Sequence, residues 1–184
     1  MTTGALVLAA GEGRRFGGTK QLAELDGRPL LEHALAAVTA VSPRVVVLGH
    51  AAEEIRASVD LHGAEPMVCE DWHEGQSASL RRGLAALAGA DAVLVVLGDQ
   101  PGITASAIDA VLAEGGDEDA VRATYDGVPG HPVLLRRALL DRAGELRGDS
   151  GFRDLLHSAR VREVEVGHLA DPADIDTREE LARR

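Results

Sequence analysis

The sequence predicts a doubly wound α/β domain whose sheet is mostly parallel with one antiparallel strand. Three observations predict it: short apolar runs that alternate with helical patterns, a near absence of aromatic residues, and a change of rhythm after residue 120. Of 184 residues 45% are hydrophobic but only 2% aromatic. The core must therefore be aliphatic, as when β-branched strands pack against helices rich in Ala and Leu. The length suits one domain over residues 1–184 that buries an ordinary core.

Apolar runs at Ala5 to Ala10, Val45 to Leu48, Met67 to Cys69 and Ala92 to Leu97 read as strands buried on both faces. Helical patterns lie between them: Pro29 to Val38, Ala52 to Val59, Ser77 to Leu87, and Thr104 to Ala113 with Thr104 as N-cap. That alternation requires right-handed crossovers and parallel pairing. Further on, Ala120 to Thr124, the turn Asp126 to Gly130, and Pro132 to Leu135 predict a hairpin, which supplies the antiparallel strand. Helices at Arg136 to Ala143 and Phe152 to Ser158, a strand at Val161 to Val166 and a helix from Arg178 complete the layout. No repeat or linker marks a domain boundary.

A net charge of -11 would repel a polyanion over most of the surface, so neither nucleic acid nor an anionic membrane is an expected partner. Residues 1–28 depart from that balance: Arg14, Arg15, Lys20 and Arg28 face Glu12, Glu24 and Asp26. Positive charge thus gathers beside a glycine-rich loop, as a small anionic ligand requires. The single cysteine, Cys69, excludes an internal disulfide and suits a reducing cytoplasm. No basic leader region and no apolar run of roughly 18 residues stands in the sequence, so a soluble cytoplasmic protein is expected.

Leu8-Ala9-Ala10-Gly11-Glu12-Gly13-Arg14-Arg15-Phe16-Gly17-Gly18-Thr19-Lys20 follows the first strand, where α/β sheets place their ligands. Glycines let backbone amides approach an anion, and the flanking cations neutralise phosphate oxygens. A Walker A loop needs Lys directly after its second glycine and then Ser or Thr; Gly18-Thr19-Lys20 inverts that pair. A dinucleotide fingerprint needs a third glycine where Phe16 stands. A solvated surface loop is the remaining alternative.

Asp99, in Gly98-Asp99-Gln100-Pro101, follows a buried strand on the same sheet edge. A carboxylate there can hold Mg2+ against phosphates, or cap a helix, although Thr104 is better placed for capping. Near the C-terminus, Thr177 and Glu180 have capping-box spacing, which leaves Asp176 free for another task. The histidines lack zinc spacing, and Gly148-Asp149-Ser150-Gly151, though similar to the nucleophile segment of trypsin-like proteases, sits in a helical, disulfide-free context that contradicts that architecture.

The Leu-Ala-Ala-Gly-x-Gly-x-Arg-Phe-Gly-x-x-Lys loop, the Asp-Gln-Pro motif at Asp99 and the Asp174-Ile-Asp176-Thr177 segment together resemble the molybdenum cofactor cytidylyltransferases of the MobA/MocA-like NTP-transferase superfamily. The resemblance covers Leu6 to Leu181. It implies a Rossmann-like, three-layer fold like that of nucleotide-diphospho-sugar transferases, and Mg2+-dependent transfer of CMP from CTP to molybdopterin. It places Leu8, Ala9, Ala10, Gly11 and Gly13 around the nucleotide, Arg15 and Lys20 on its phosphates, and Asp99 with Asp176 on the metal, with Asp174 in reserve. Gly75 and Ser79, in Trp72 to Leu80, match a segment that reads the base, where N-capping is the alternative role for Ser77 and Ser79. Glu70-Asp71 replaces the asparagine usual there. Gly130-His131-Pro132 and Gly148 to Arg153 match acceptor-side segments, which implicates Gln100, His131, Asp149 and Arg153; His131 can equally be a turn residue, and Phe152 departs from the usual alanine.

Ala10 favours the cytidylyl over the guanylyl branch, and GTP or a sugar or alcohol phosphate acceptor is the alternative within this chemistry. A molybdoenzyme or its maturation factor is the implied protein partner. Two other classes fit the same crevice: an oxidoreductase using NAD(P)H or flavin, and a non-catalytic chaperone that delivers cofactor.

Overall fold

The computed structural model describes residues 1–149 and 151–184; Ser150, within the Gly148 to Arg153 segment, lies outside the described residues. The strands are β1 (Thr3–Ala9), β2 (Glu24–Leu25), β3 (Arg28–Pro29), β4 (Arg44–Leu48), β5 (Glu65–Val68), β6 (Ala92–Leu97), β7 (Ala120–Tyr125), β8 (Val128–Arg136) and β9 (Val161–Glu165). The helices are α1 (Leu30–Ala37), α2 (Ala52–Ser58), α3 (Gln76–Ala86), α4 (Ala105–Ala113), α5 (Arg137–Leu140), α6 (Arg153–His157) and α7 (Arg178–Leu181). Seven strands form one sheet in the order β5-β4-β1-β6-β8-β7-β9. Its neighbours pair in parallel except at β8, which runs antiparallel to both β6 and β7. The expected three-layer, doubly wound sheet with one reversed strand is the observed one.

Successive side chains of a strand point to opposite faces, and here both faces are dry. Ala5, Val7 and Ala9 of β1 join Leu31, Leu35, Ile55 and Ile108 on one side. Leu6, Leu8 and Ala10 join Leu80, Leu84 and Leu139 on the other. Burial on both faces explains why these strands read as continuous apolar runs.

Three details differ from expectation. Arg136 to Ala143 is not one helix: α5 stops at Leu140 and a separate 3-10 turn spans Ala143–Glu145. The hairpin turn is shorter than Asp126 to Gly130, because β8 already begins at Val128. Asp126 and Gly127 both have positive φ, 51° and 78°, a type I′ geometry matched to strand twist. The same Asp-Gly pair at 26–27 closes the small β2–β3 ribbon, which the sequence reading missed although Asp-Gly is the strongest short hairpin signal.

The β7–β8 turn is tied to β9 by Glu165. Its carboxylate accepts from the backbone N-H of Gly127 (3.1 Å), Gly167 (2.9 Å) and Asp126 (3.1 Å) and from the Thr124 hydroxyl (2.9 Å). These donors, the Gly127 amide foremost, lower its pKa from 4.5 to about 2. A depressed folded value means stabilisation that is complete above 4.5 and is lost as pH falls through about 2. Glu165→Gln should unfold at lower urea than the parent at pH 7, and the gap should narrow as the pH falls from 4.5 towards 2. A gap that stays constant over that range would exclude the staple.

Candidate active site

The chain leaves β1 for β4 and β5 on one side, then returns to β6 on the other. Such a switch of direction opens a crevice at the carboxyl ends of the strands. The glycine-rich loop fills it with its carbonyls turned inward. Leu8 O accepts from Gly98 N (2.9 Å) and Ala10 O from His50 N (3.1 Å). Ala9 O and Gly11 O both accept from the side chain of Gln21, at 2.9 and 2.8 Å. Both amide hydrogens of Gln21 are thereby spent, so its orientation is fixed. Gly13, at φ +67°, lets the loop turn; a Cβ there would meet Gly18 O at 2.9 Å.

Phe16, where a dinucleotide loop would have glycine, is buried against Leu30 and Ile175. Arg178 lies over its ring, 5.0 Å from the centroid. Ile175 N donates to Asp99 O at 2.9 Å, Asp171 N to Gly102 O at 3.1 Å, and Gln100 Nε2 to Pro172 O at 2.9 Å. The segment around Asp174-Ile175-Asp176 is therefore laid along the Asp-Gln-Pro turn, which brings together two carboxylates 77 positions apart. The expected capping box is present, with Thr177 and Glu180 exchanging hydrogen bonds; Asp176 donates its backbone N-H to Glu180 Oε2 at 2.8 Å, and its carboxylate is left free of the box.

The carboxylates meet on Lys20. Its Nζ lies 2.7 Å from Asp99 Oδ2 and 2.8 Å from Asp176 Oδ1, and Arg15 reaches Asp176 Oδ2 at 2.6 Å. The Lys20 side chain is 12% exposed and that of Arg15 76%. Burial alone would press the Lys20 ammonium down, but Asp99 and Asp176 overcome it and hold the pKa above its ordinary value. The hydrogen bond from Lys20 holds Asp176 below the usual carboxylate range. Asp174 goes the other way: burial of its carboxyl and then the charge of Asp99 raise it, although the residue keeps a solvent-exposed edge. Asp99 Oδ1 is buried with no hydrogen-bond partner.

A cleft of about 480 Å³ opens over this cluster. Leu8, Ala9, Ala10, Gly11, Gly13, Arg15, Lys20, Asp99 and Asp176 line one side, and Trp72, Gly75, Gln76, Ser79 and Asp149 are also in its wall. Gln100, His131 and Arg153 are not among the lining residues. Neither serine caps α3: Gly75 is its N-cap, and Asp149 Oδ1 accepts from Gln76 N at 3.3 Å. Gly75, at φ +107°, makes room for that carboxylate, since a Cβ would meet it at 2.4 Å. His131 stands edge-on to Phe152, ring centroids 5.6 Å apart, with Nε2 buried and unpartnered. Burial lowers its pKa to about 4, against the pull of Asp99.

Among the described residues no group of three or more His, Cys, Asp and Glu side chains is arranged to hold a metal ion, and no helix is long and apolar enough to cross a membrane. Two carboxylates beside an anion-ready loop remain. Residues 5–164 match the family described as the MobA-like NTP transferase domain. The chain belongs to that family. It is by class a nucleotidyltransferase.

Members of varied description resemble it. Nicotine blue oxidoreductase of Paenarthrobacter nicotinovorans is 31% identical over 98% of this chain and 95% of its own length. Bifunctional protein GlmU of Streptomyces griseus is 36% identical over 90% of the chain, which spans only 36% of that longer protein. The crystal structure of Rv0371c from Mycobacterium tuberculosis in complex with manganese superposes with a TM-score of 0.83 at 30% identity, covering 100% of this chain and 97% of that one.

Sequence reasoning missed Gln21, as it did Trp72 and Gln76 in the cleft wall, and only its place directly after Lys20 marks it. Gln21→Leu, close in size but without donors, should strand two loop carbonyls and cost about 1–3 kcal/mol in urea unfolding. Amide exchange should quicken over residues 10–20. Unchanged stability and unchanged exchange would show that the loop holds its shape without the clamp.

Proposed function

We propose that residues 1–184 act as a single cytoplasmic NTP-transferase domain that transfers CMP from CTP to the terminal phosphate of molybdopterin and releases pyrophosphate. The observation that supports this most is the convergence of Lys20, Arg15, Asp99 and Asp176 at the mouth of a loop whose carbonyls are tied inward. In this reading an oxygen of the acceptor phosphate bonds to the α-phosphorus while the α–β bridging P–O bond breaks, and its electron pair leaves with pyrophosphate. Positioning and charge neutralisation supply most of the barrier reduction in such transfers, so they need no nucleophilic side chain from the protein.

Amides of Gly11 and Gly13 face the phosphates, and Arg15 and Lys20 neutralise charge that grows on the leaving group. Leu8, Ala9, Ala10, Gly75 and Ser79 hold the nucleoside. Asp149 in the cleft wall, with Gln100, His131 and Arg153 outside its lining, belongs to the acceptor side, and a molybdoenzyme or its maturation factor receives the product.

The residues fit a divalent cation. Mg2+ is commonly bound by one or two carboxylates plus substrate phosphates, and the buried Asp99 Oδ1 has an unused acceptor position. Asp99 and Asp176 would hold it, with Asp174 beside them, and when bound it would supply charge neutralisation at the α-phosphate. The manganese complex of Rv0371c favours such a site.

A second reading is favoured by the likeness to nicotine blue oxidoreductase: a redox enzyme that binds a nicotinamide or flavin nucleotide in the same cleft. Pyrophosphate release with Mg2+, molybdenum cofactor and each of CTP, GTP and ATP separates the two. Release with CTP foremost is the expected result. Saturable NADH or FMN binding, with no release from any NTP, would establish the redox reading instead. Asp99→Ala should cut turnover at least about 100-fold, the scale of losing one electrostatic contact made in the transition state. A near-normal rate would remove Asp99 from the metal site.

A further inference from the structure

We propose that Lys20 is the resting counter-ion of the Asp99–Asp176 pair, and that it makes the site selective for a nucleotide carrying its divalent cation over either component alone. The inference rests on the nucleotidyl-transfer reading and concerns what the same four side chains do before substrate arrives. Two cations pair directly with two carboxylates, so the charges of Asp99 and Asp176 are matched at rest, and Asp174, exposed beside them, has no ion pair with either cation. Of the four carboxylate oxygens, Asp99 Oδ2 and Asp176 Oδ1 are held by one ammonium, Asp176 Oδ2 by a guanidinium, and only Asp99 Oδ1 has no partner.

Neither free component meets a receptive site. A divalent cation arriving alone finds an ammonium within hydrogen-bond distance of the oxygens it needs, and like charges held there repel. A triphosphate arriving alone finds cations already neutralised and two carboxylates that repel it. Arriving together they allow an exchange in which charge balances: Lys20 and Arg15 turn to phosphate oxygens and the carboxylates are released. The Lys20 stem already passes beside the loop, its Cγ 3.4 Å from where a Cβ on Gly13 would stand, so its ammonium is tethered next to the backbone that would receive the phosphates. Arg15, mostly exposed, is freer still.

A permanent structural ion pair would behave differently. Removal of Lys20 would then weaken every ligand, whereas a counter-ion that competes for the carboxylates makes its own removal improve binding of the metal alone. Coupling between two ligands is also reciprocal, so the nucleotide must gain from the metal what the metal gains from the nucleotide.

The test is Mn2+ binding to the purified protein by electron paramagnetic resonance, with and without the non-reacting α,β-methylene analogue of CTP, corrected for Mn2+ that the analogue holds in free solution. The parent should bind Mn2+ on the order of tenfold more tightly when the analogue is present, a typical size for such coupling. Lys20→Gln and Lys20→Met should bind Mn2+ alone more tightly than the parent, by a similar factor, while the coupling shrinks. Mn2+ affinity no higher in either folded variant than in the parent overturns the counter-ion role, and coupling intact in all three proteins then leaves the nucleotidyl-transfer reading standing. If both variants fail to fold, a coupling factor of about one in the parent overturns it. No Mn2+ binding to the parent under either condition, with Asp99→Asn indistinguishable from it, defeats both readings together.

Discussion

The contact of Lys20 with two aspartates is the constraint on which the rest of this molecule depends. Three segments remote in sequence meet there: the end of the glycine loop, the turn after β6 and the approach to the last helix. None carries the position alone. Asp99 is placed by a central strand buried on both faces, and Asp176 by the hydrogen bond from Ile175 N to Asp99 O. Phe16 and Ile175 share a small apolar cluster with Leu30, which fastens the loop and the C-terminal segment to the same helix start. Burying three aliphatic and aromatic side chains therefore fixes the ionic geometry, and the ions themselves need supply little net stability in a partly open site.

The loop obeys a second constraint. Its carbonyls from Leu8 to Gly11 all accept hydrogen bonds from within the protein, two of them from one buried glutamine. A strand end with its acceptors spoken for offers a ligand mainly N-H groups and side-chain cations, which selects for anions before any side chain reads identity. The protein is acidic overall, so any attraction for an anion must arise locally, from the loop amides and from Lys20 and Arg15, whose charges at rest are taken up by Asp99 and Asp176.

The fold was legible because both faces of the sheet are dry. Runs such as Val45 to Leu48 have no polar alternation to confuse them, and Thr104 and Thr177 mark helix starts by hydrogen bonds that the structure contains. Elements whose form depends on distant partners were less legible. At the start of α3 the sequence leaves Ser77 and Ser79 open between a ligand role and N-capping, yet neither caps it: Asp149 reaches across from another segment and Ser77 is buried with its hydroxyl unpaired. The helix expected from Arg136 breaks at Leu140, although its sequence carries neither Gly nor Pro before that point. Asp99 and Asp176 could be named from motifs, but that one ammonium would bridge them was outside the reach of spacing. Gln21 was overlooked because a clamp on backbone carbonyls leaves no pattern in the sequence.

The reversed strand gives the two sides of the crevice different characters. On the β1–β4 side the strands are parallel, and their carboxyl ends present loops and a glycine turn suited to phosphates. On the β6–β8 side the neighbour runs the other way, so the chain enters β8 near the place where β6 ends. That reversal brings His131, early in β8, into the electrostatic reach of Asp99 at the end of β6. An all-parallel sheet would have placed a loop there. A strand replaces it, held rigid at its hairpin by Glu165 and at its backbone by the Tyr125 hydroxyl on His131 O at 2.5 Å. One side of the crevice is thus a backbone loop clamped through its own carbonyls, and the other a strand fixed at its hairpin and along its backbone, so both walls are set before any ligand arrives.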